Sequence, residues 1–199
     1  QTNLGGTLNT FGGWRKTTYM ANGLYADERT DLFGRATWKR DLGGHTTDYA
    51  YDVAGRMTSS SSNGLVASFG WFNSGLQASN SGPAGAATYS YDKSGNRLTE
   101  TLVSGGVTIK NQSATYDALG RMKTWGEAGT ATAPASSMTT SYDANGNIRR
   151  TLANYYSLDA NGNASYATTR DYWFRYDSMN RLVTDTGVLS GAAGASGAT

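Results

Sequence analysis

The chain has 199 residues, a formal net charge of +2, 26 glycines, two prolines and no cysteine. Without cysteine it is neither a disulfide-stapled scaffold nor a Cys-ligated zinc or iron–sulfur protein. Its charges are scattered singly and no long apolar run occurs, so we expect neither a nucleic-acid-binding patch nor a membrane span.

A short motif recurs along the sequence: Tyr-Asp-x-x-Gly, then polar residues, then an aliphatic residue. Weaker copies occupy 19–24, 30–35, 72–76 and 158–163, and full copies occupy 51–57, 91–98, 116–122, 142–148 and 176–182. The residues assigned to the repeated turns are Tyr51, Asp52, Gly55, Arg56, Tyr91, Asp92, Gly95, Tyr116, Asp117, Gly120, Arg121, Tyr142, Asp143, Gly146, Tyr176, Asp177, Asn180 and Arg181. Such self-similarity indicates a repeat architecture.

Each position of the motif has a reason in turn chemistry. Asp is favoured at the first position of a type I turn, where its carboxylate accepts backbone N–H groups, and Gly at the fourth, where the backbone passes to positive φ. This is the three-residue hairpin loop with a glycine bulge. Asn180 replaces the glycine in the last copy, and Asn is the best non-glycine residue there. The motif therefore predicts hairpins.

Arginines occupy matching positions in three copies, directly after the Gly or Asn that ends the turn, at Arg56, Arg121 and Arg181. A guanidinium at a repeated position can stack on a tyrosine of the same or the next hairpin. We therefore expect a ladder of Arg–Tyr contacts along the sheet.

The segments between the turns have side chains that alternate with a period of two and are rich in Thr and aromatic residues, as at 87–91, 138–142 and 172–176. These are strand signals, and no segment has helical periodicity. Gly- and Ala-rich segments at 80–87 and 126–137 predict longer loops at the opposite hairpin ends. The sequence thus predicts an all-β meander, with residues 1–185 as a single continuous domain and 186–199 as a Gly/Ala/Ser-rich loop or tail.

The Tyr-Asp-x-x-Gly-Arg-aliphatic units resemble the YD repeats of the RHS family, which includes bacterial polymorphic toxins, the C component of Tc toxins and the teneurins. The resemblance covers essentially residues 19–185. It implies a curved, spiralling strip of β-sheet, a section of an RHS-type shell. In the toxins of the family such a shell encloses a toxic polypeptide.

The sequence departs from the family pattern where chemistry would reside. RHS toxin shells usually end in a segment that cleaves itself at an Asp-Pro-containing motif, but the two prolines here are Pro83, after Gly82, and Pro134, after Ala133. The self-cleaving activity is therefore carried over to no residue of this sequence. We expect no enzymatic activity, no catalytic residue, no cofactor and no metal site.

Other chemistries are weakly supported. His45, the sole histidine, lies in a Gly-rich loop, and the Asp-Asn spacing at 143–147 and 159–163 lacks the Gly and Glu that a calcium loop needs. Each turn aspartate belongs to its own hairpin, which argues against a glycosidase carboxylate pair. The five tryptophans could form sugar-stacking platforms, although core packing is the commoner role. They are Trp14, Trp38, Trp71, Trp125 and Trp173.

Two functions from different classes follow. The first is a structural β-scaffold that encloses or displays a partner polypeptide in toxin delivery, secreted or at the cell surface of a bacterium. The second is an extracellular module that assembles into filaments or tubes through open sheet edges, or binds surface carbohydrate. The expected partners are adjacent repeats of a longer parent protein, further copies of the same sequence, an enclosed polypeptide or a surface glycan. The start at Gln1 and the abrupt tail lead us to expect an excerpt or processed product.

Overall fold

The computed structural model describes residues 2–3, 12–130, 134–158, 161–162 and 164–189, of which 157–158, 164–168 and 187–189, like 2–3, are described by their backbone alone. Within these ranges every regular element is a β-strand. The strands are β1 (Thr2–Asn3), β2 (Trp14–Tyr19), β3 (Tyr25–Thr30), β4 (Ala36–Arg40), β5 (Thr46–Tyr51), β6 (Met57–Ser62), β7 (Leu65–Trp71), β8 (Gln77–Gly82), β9 (Gly85–Tyr91), β10 (Arg97–Ser104), β11 (Val107–Tyr116), β12 (Met122–Glu127), β13 (Ser136–Tyr142), β14 (Ile148–Leu158), β15 (Ala164–Tyr176) and β16 (Leu182–Leu189).

The protein divides into two compact units, Gln1–Ala86 and Ala87–Thr199. In the first unit, β1 to β8 pair in sequence order and antiparallel, for example Thr17 opposite Asp27 and Ser60 opposite Ala67. From β2 to β8 each strand has only a short connection to the next, so local pairing builds this part of the sheet. The predicted all-β hairpin meander is confirmed for this unit.

The second unit repeats the arrangement with longer strands. From β10 to β16 each strand pairs antiparallel with the next, and the β14–β15 hairpin runs from Arg150 opposite Trp173 to Leu158 opposite Ala164. The lengths of the hairpin arms vary, while the Tyr-Asp turns stay constant. This explains the irregular spacing of the motif along the sequence.

The meander places alternate turns at opposite ends of each sheet. In the first unit, the turns at 31–35, 52–56 and 72–76 share one end, and those at 20–24, 41–45 and 63–64 share the other. In the second unit, the turns at 92–96, 117–121, 143–147 and 177–181 share one end. In the second unit the full copies therefore share one end of the sheet, and in the first unit the full copy at 51–57 shares its end with the weaker copies at 30–35 and 72–76. The weaker copy at 19–24 lies at the other end of the first unit, and the copy at 158–163 lies partly outside the described residues.

A register shift accompanies the Tyr-Asp turns. Tyr51 pairs with Met57, but the preceding Ala50 pairs with Ser59, which leaves one extra residue on the outgoing strand. The same shift occurs at the turns after Thr30, Trp71, Tyr116, Tyr142 and Tyr176. A β-bulge increases the local right-handed twist and bends its strand. The same distortion therefore accompanies each of these six turns.

Few side chains are fully buried. Ala87 is the only buried hydrophobic residue among the described residues, and Asp27 and Thr140 are the buried polar ones. Most strand residues are half-buried on both faces, with Tyr, Thr and Ser in place of large aliphatic groups. The stability of the sheet must therefore depend heavily on hydrogen bonds and cross-strand contacts.

The predicted loops were correct in one case and wrong in another. The segment 128–135 separates β12 from β13 as expected, with 131–133 outside the described residues. The predicted loop at 80–87 is wrong, because β8 and β9 continue to a tight turn at 83–84. The segment suggested a loop because it contains small residues and one proline, but the same residue types also suit a two-residue turn. Strand β16 extends to Leu189, and 190–199 of the predicted tail lie outside the described residues. The single continuous domain over 1–185 stays a prediction.

Candidate functional site

The Tyr-Asp turns share one backbone geometry. The Asp N–H donates to the carbonyl of the residue four positions on, and the glycine N–H donates back to the Asp carbonyl, as between Asp52, Arg56 and Gly55 at 2.9 Å each. The glycine φ lies between 77° at Gly120 and 91° at Gly146. Asn180 takes the same place with φ 58°. The fourth position thus requires the left-handed conformation that glycine and asparagine tolerate.

The aspartate carboxylate organises each turn. In the first full copy, Asp52 Oδ1 accepts the backbone N–H groups of Ala54 and Arg56, both at 2.9 Å. Its Oδ2 accepts Arg56 Nε at 2.7 Å. The same pattern holds at Asp31, Asp117 and Asp177 with an arginine, and at Asp92 and Asp143 with an asparagine. Each carboxylate therefore serves its own loop.

These hydrogen bonds lower the pKa of the turn carboxylates. The backbone N–H of the following arginine is the main cause for Asp52 and Asp177, and the amide side chain of the following asparagine is the main cause for Asp92. Burial is the largest single influence on the pKa of Asp117 and raises it, but the hydrogen bonds from Arg121 and Leu119 together outweigh it and the net direction is downward. Carboxylates of this kind are poor proton donors at neutral pH.

Arginines connect three of the turns to the next turn at the same end of the sheet. The Arg121 guanidinium carbon lies 4.4 Å from the ring centre of Tyr142, which precedes the following turn. Arg35 lies 4.9 Å from the ring of Tyr51 in the same way. Arg56 lies 5.9 Å from the Trp71 ring and donates to the Phe72 carbonyl at 2.7 Å. The expected Arg–Tyr ladder is confirmed for Arg121, and Arg56 stacks on a tryptophan instead of a tyrosine.

The aromatic residue before a turn also donates a hydrogen bond toward the preceding turn. Tyr142 Oη donates to the Met122 carbonyl at 2.8 Å. Equivalent bonds run from Tyr51 to Ala36 at 2.8 Å and from Tyr116 to Arg97 at 3.0 Å. Trp71 does the same through Nε1, at 2.7 Å from the Met57 carbonyl. In each case the acceptor is the first residue of the strand that leaves the preceding turn. We call a side-chain contact of either kind between successive turns a clasp.

The second unit also contains a clasp made by asparagines. Asn145 and Asn147 both donate through Nδ2 to Asn180 Oδ1 at 3.1 Å, which joins the turn at 143–147 to the turn at 177–181. Arg181 bonds to Asp177 at 2.7 Å, but its turn is the last among the described residues. No ring contact is present for Arg181 within those residues. The sequence shows the repeated residues but not which turn each one contacts.

The lone histidine belongs to a turn of the same kind, which lies outside the Tyr-Asp pattern. Asp41 Oδ1 accepts the His45 N–H at 2.9 Å, and Oδ2 lies 3.1 Å from His45 Nδ1. The pKa of Asp41 is lowered, mainly by that backbone N–H. The signal was present in the sequence as Asp41-Leu42-Gly43-Gly44, without the preceding tyrosine. His45 therefore replaces arginine at the fifth position of a turn.

Ion pairs between strand residues were not predicted, and two of them are formed by Asp27 and Asp171. Asp27 is 3% exposed and accepts Arg15 Nε at 2.8 Å and Thr17 Oγ1 at 3.2 Å. Burial raises the pKa of Asp27, but these donors outweigh it and leave it lowered. Arg150 binds Asp171 through two bonds of 2.7 Å. Their partners lie on neighbouring strands, so sequence spacing gave no signal.

Several tryptophans carry arginine on one ring face. The guanidinium carbon lies 4.5 Å from the ring centre of Trp38 for Arg29 and 4.8 Å from that of Trp173 for Arg150. With Trp71 under Arg56, these rings take part in cross-strand contacts. Within the described ranges, no three acidic or histidine side chains are grouped so as to hold a metal ion, and no helix is long and apolar enough to cross a membrane.

No family model and no curated protein matches this sequence. Solved structures do match. One protein in the crystal structure of TcdB2-TccC3-Cdc42 superposes with a TM-score of 0.65 at 16% identity, over 88% of the present chain and 10% of the other. One in the Photorhabdus luminescens Tc holotoxin pore with a TccC3 mutation gives 0.64 at 14% identity, over 86% and 9%. The TcdB2-TccC3 structure without the hypervariable C-terminal region gives 0.64 at 15% identity, over 86% and 9%.

The protein therefore spans about a tenth of the length of the solved chains it resembles. At these identities the likeness concerns the fold. Taken together with the Tyr-Asp turns, it shows that the protein has the RHS-type fold of YD-repeat proteins.

Proposed function

We propose that the protein is a non-catalytic section of a YD-repeat wall that encloses or displays a partner polypeptide in toxin delivery, outside the cell that makes it. The observation that carries the proposal is the series of clasps. Each clasp joins a turn to the next turn through an arginine or asparagine side chain, an aromatic hydrogen bond, or both. Residues repeated along the whole sequence are thus used to hold the sheet together.

The distribution of carboxylates supports a structural role over a catalytic one. Glycosidic and proteolytic mechanisms need a carboxyl group poised to give or take a proton from substrate. The repeated aspartates instead have lowered pKa values and accept bonds from their own turn. The His45 ring likewise contacts the carboxylate of its own turn, with Nδ1 3.1 Å from Asp41 Oδ2. Stabilisation of the turns therefore explains why an acidic residue recurs at this position.

The half-buried faces of the sheet support a role that involves a covering partner. Ala87 is the only buried hydrophobic residue of the described segments. Large apolar side chains stand exposed at the turn ends, among them Phe33 at 84% and Leu119 at 77%. TccC3, whose fold this protein shares, is found in complexes with TcdB2 and in a holotoxin pore. A wall that works with further polypeptide fits both observations.

The test is to isolate the protein as its source produces it and to treat it with protease before and after mild denaturation. Enclosure predicts a co-purifying polypeptide that is cleaved only once the wall has opened. The Arg121→Ala and Tyr142→Phe variants should release that polypeptide at lower denaturant, and Arg181→Ala should not, because the Arg181 side chain bonds only within its own turn among the described residues. A preparation without any associated polypeptide would contradict enclosure.

One observation favours self-assembly as a second candidate. Strand β16 pairs with β15 alone among the described strands, and Leu182 and Val183 on it are 55% and 64% exposed. An uncovered strand edge can accept a further strand. Concentration-dependent growth of filaments in light scattering would support this candidate, and a species of constant mass would exclude it.

A further inference from the structure

We propose that Asn63 is a site of spontaneous chemical modification, converting to aspartate and isoaspartate faster than Asn22 and Asn145, which also precede a glycine. The sequence contains four Asn-Gly pairs, at 22–23, 63–64, 145–146 and 161–162. An Asn-Gly pair is chemically labile because glycine leaves the attacking nitrogen unhindered. Hydrogen bonds restrain the pairs at 22–23 and 145–146 but not, among the described residues, the pair at 63–64.

The reaction is intramolecular. The Gly64 backbone nitrogen attacks Asn63 Cγ, so that a new N–C bond forms. The bond between Cγ and Nδ2 of Asn63 then breaks, and the NH₂ group leaves as ammonia with the proton of the Gly64 amide. Water opens the resulting succinimide ring at either carbonyl, which gives aspartate or isoaspartate at position 63. No oxidant or reductant takes part.

At Asn63 the fold leaves both reacting groups accessible. Asn63 and Gly64 form the two-residue loop between β6 and β7, closed by the pair Ser62–Leu65. Both are exposed, and Asn63 has a positive φ of 50°. Among the described residues, no hydrogen bond holds the Gly64 N–H or the Asn63 amide. A Cβ placed on Gly64 would meet nothing within 4 Å. The nitrogen and the side chain are therefore free to move toward each other.

The other two pairs are restrained by the turns that contain them. Gly146 N–H donates to the Asp143 carbonyl at 3.1 Å, and Asn145 Nδ2 donates to Asn180 at 3.1 Å. Gly23 N–H donates to the Met20 carbonyl at 3.0 Å. The Asn22 side chain accepts the Leu24 N–H at 3.2 Å. In both pairs the attacking nitrogen and the amide would have to give up bonds before reacting.

Conversion would change the sheet end opposite the Tyr-Asp turns. Each event replaces a neutral amide by a carboxylate and lowers the formal net charge of +2 by one. Aspartate is tolerated in the left-handed conformation of this loop. Isoaspartate adds a methylene group to the backbone of a two-residue loop, which disturbs the closing pair. The site thus gives the protein a slow, age-dependent change at one defined hairpin.

The experiment is a time course of the intact protein in heavy-oxygen water at mildly alkaline pH, followed by trypsin and tandem mass spectrometry. The informative peptides are 17–29, 57–93 and 124–149, which contain Asn22, Asn63 and Asn145 respectively. Because one hydrogen bond restrains each competing nitrogen, we expect Asn63 to convert at least about fivefold faster than either. A parallel sample in denaturant should bring the three rates together.

A variant adds an independent test. Asn180→Gly keeps a residue suited to positive φ but removes the amide that holds Asn145. It should accelerate conversion at Asn145 and leave Asn63 unchanged. Equal rates at Asn63 and Asn145 in the folded protein would overturn the proposal. An excess at Asn63 that persists in denaturant would also overturn it, because local sequence and not the fold would then be the cause.

Discussion

Replacing Arg121 by alanine tests the clasp most sharply, because the protein contains a matched control. Arg121 bonds to Asp117 at 2.6 Å and Arg181 bonds to Asp177 at 2.7 Å in the same turn position. Of these two arginines, only Arg121 stacks on the aromatic residue of a following turn, and its side chain is 29% exposed against 69% for Arg181. The difference between the two variants therefore isolates the contact with Tyr142.

A cation–π contact of this geometry contributes about 1 kcal/mol. We expect Arg121→Ala to lower the free energy of unfolding by about 1 kcal/mol more than Arg181→Ala. The corresponding difference in melting temperature is about 2–4 °C for a protein of this size. Urea titration followed by tryptophan fluorescence measures the first quantity, and calorimetry measures the second.

A double-mutant cycle checks the assignment. Combining Arg121→Ala with Tyr142→Leu should show a coupling energy of about 1 kcal/mol, since both single variants remove the same contact. Equal stability losses in the Arg121→Ala and Arg181→Ala variants, or a coupling energy near zero, would refute the stacking argument.

Three further predictions concern the same turns. Tyr142→Phe removes the bond to the Met122 carbonyl and should cost about 1 kcal/mol in urea unfolding, whereas Tyr19→Phe, at a side chain 74% exposed, should be neutral. Gly146→Ala, at φ 91° and with its Cβ 3.3 Å from Arg121 Nη1, should cost about 1–2 kcal/mol, and Gly126→Ala, with no atom closer than 3.6 Å, should cost less. The pKa values of Asp52 and Asp177 lie below their ordinary value of 3.8, so these carboxylates stabilise the fold above that pH and stop doing so as the pH falls through their pKa values in the folded protein. Acid titration followed by circular dichroism should show this loss of stability. Asp52→Asn should reduce the dependence of stability on pH.

The local parts of the fold could be predicted because their signals are local. Asp52 and Gly55 determine a turn within four residues, so the hairpins followed directly from the motif. The Asp41 turn obeys the same chemistry but was interpreted as a Gly-rich loop, because Gly43 and Gly44 stand together before His45. The tight turn at 83–84 was mistaken for part of a loop, since small residues are compatible with either.

Contacts between turns could not be located from the sequence. Tyr142 and Met122 are 20 positions apart, and Tyr51 and Ala36 are 15 apart, because the intervening hairpin arms differ in length. The register shift beyond each tyrosine also changes which residues face each other. The buried Asp27 pair depends on the register of two strands whose sequences give no fixed spacing.

Electron cryomicroscopy of the native material, with intact-mass analysis of the same sample, tests the central claim most directly. A wall section predicts particles in which the sheet of this protein lines a hollow that contains additional polypeptide density. Extended filaments or tubes built from the 21.1 kDa polypeptide alone would contradict enclosure and would make strand-edge assembly the function.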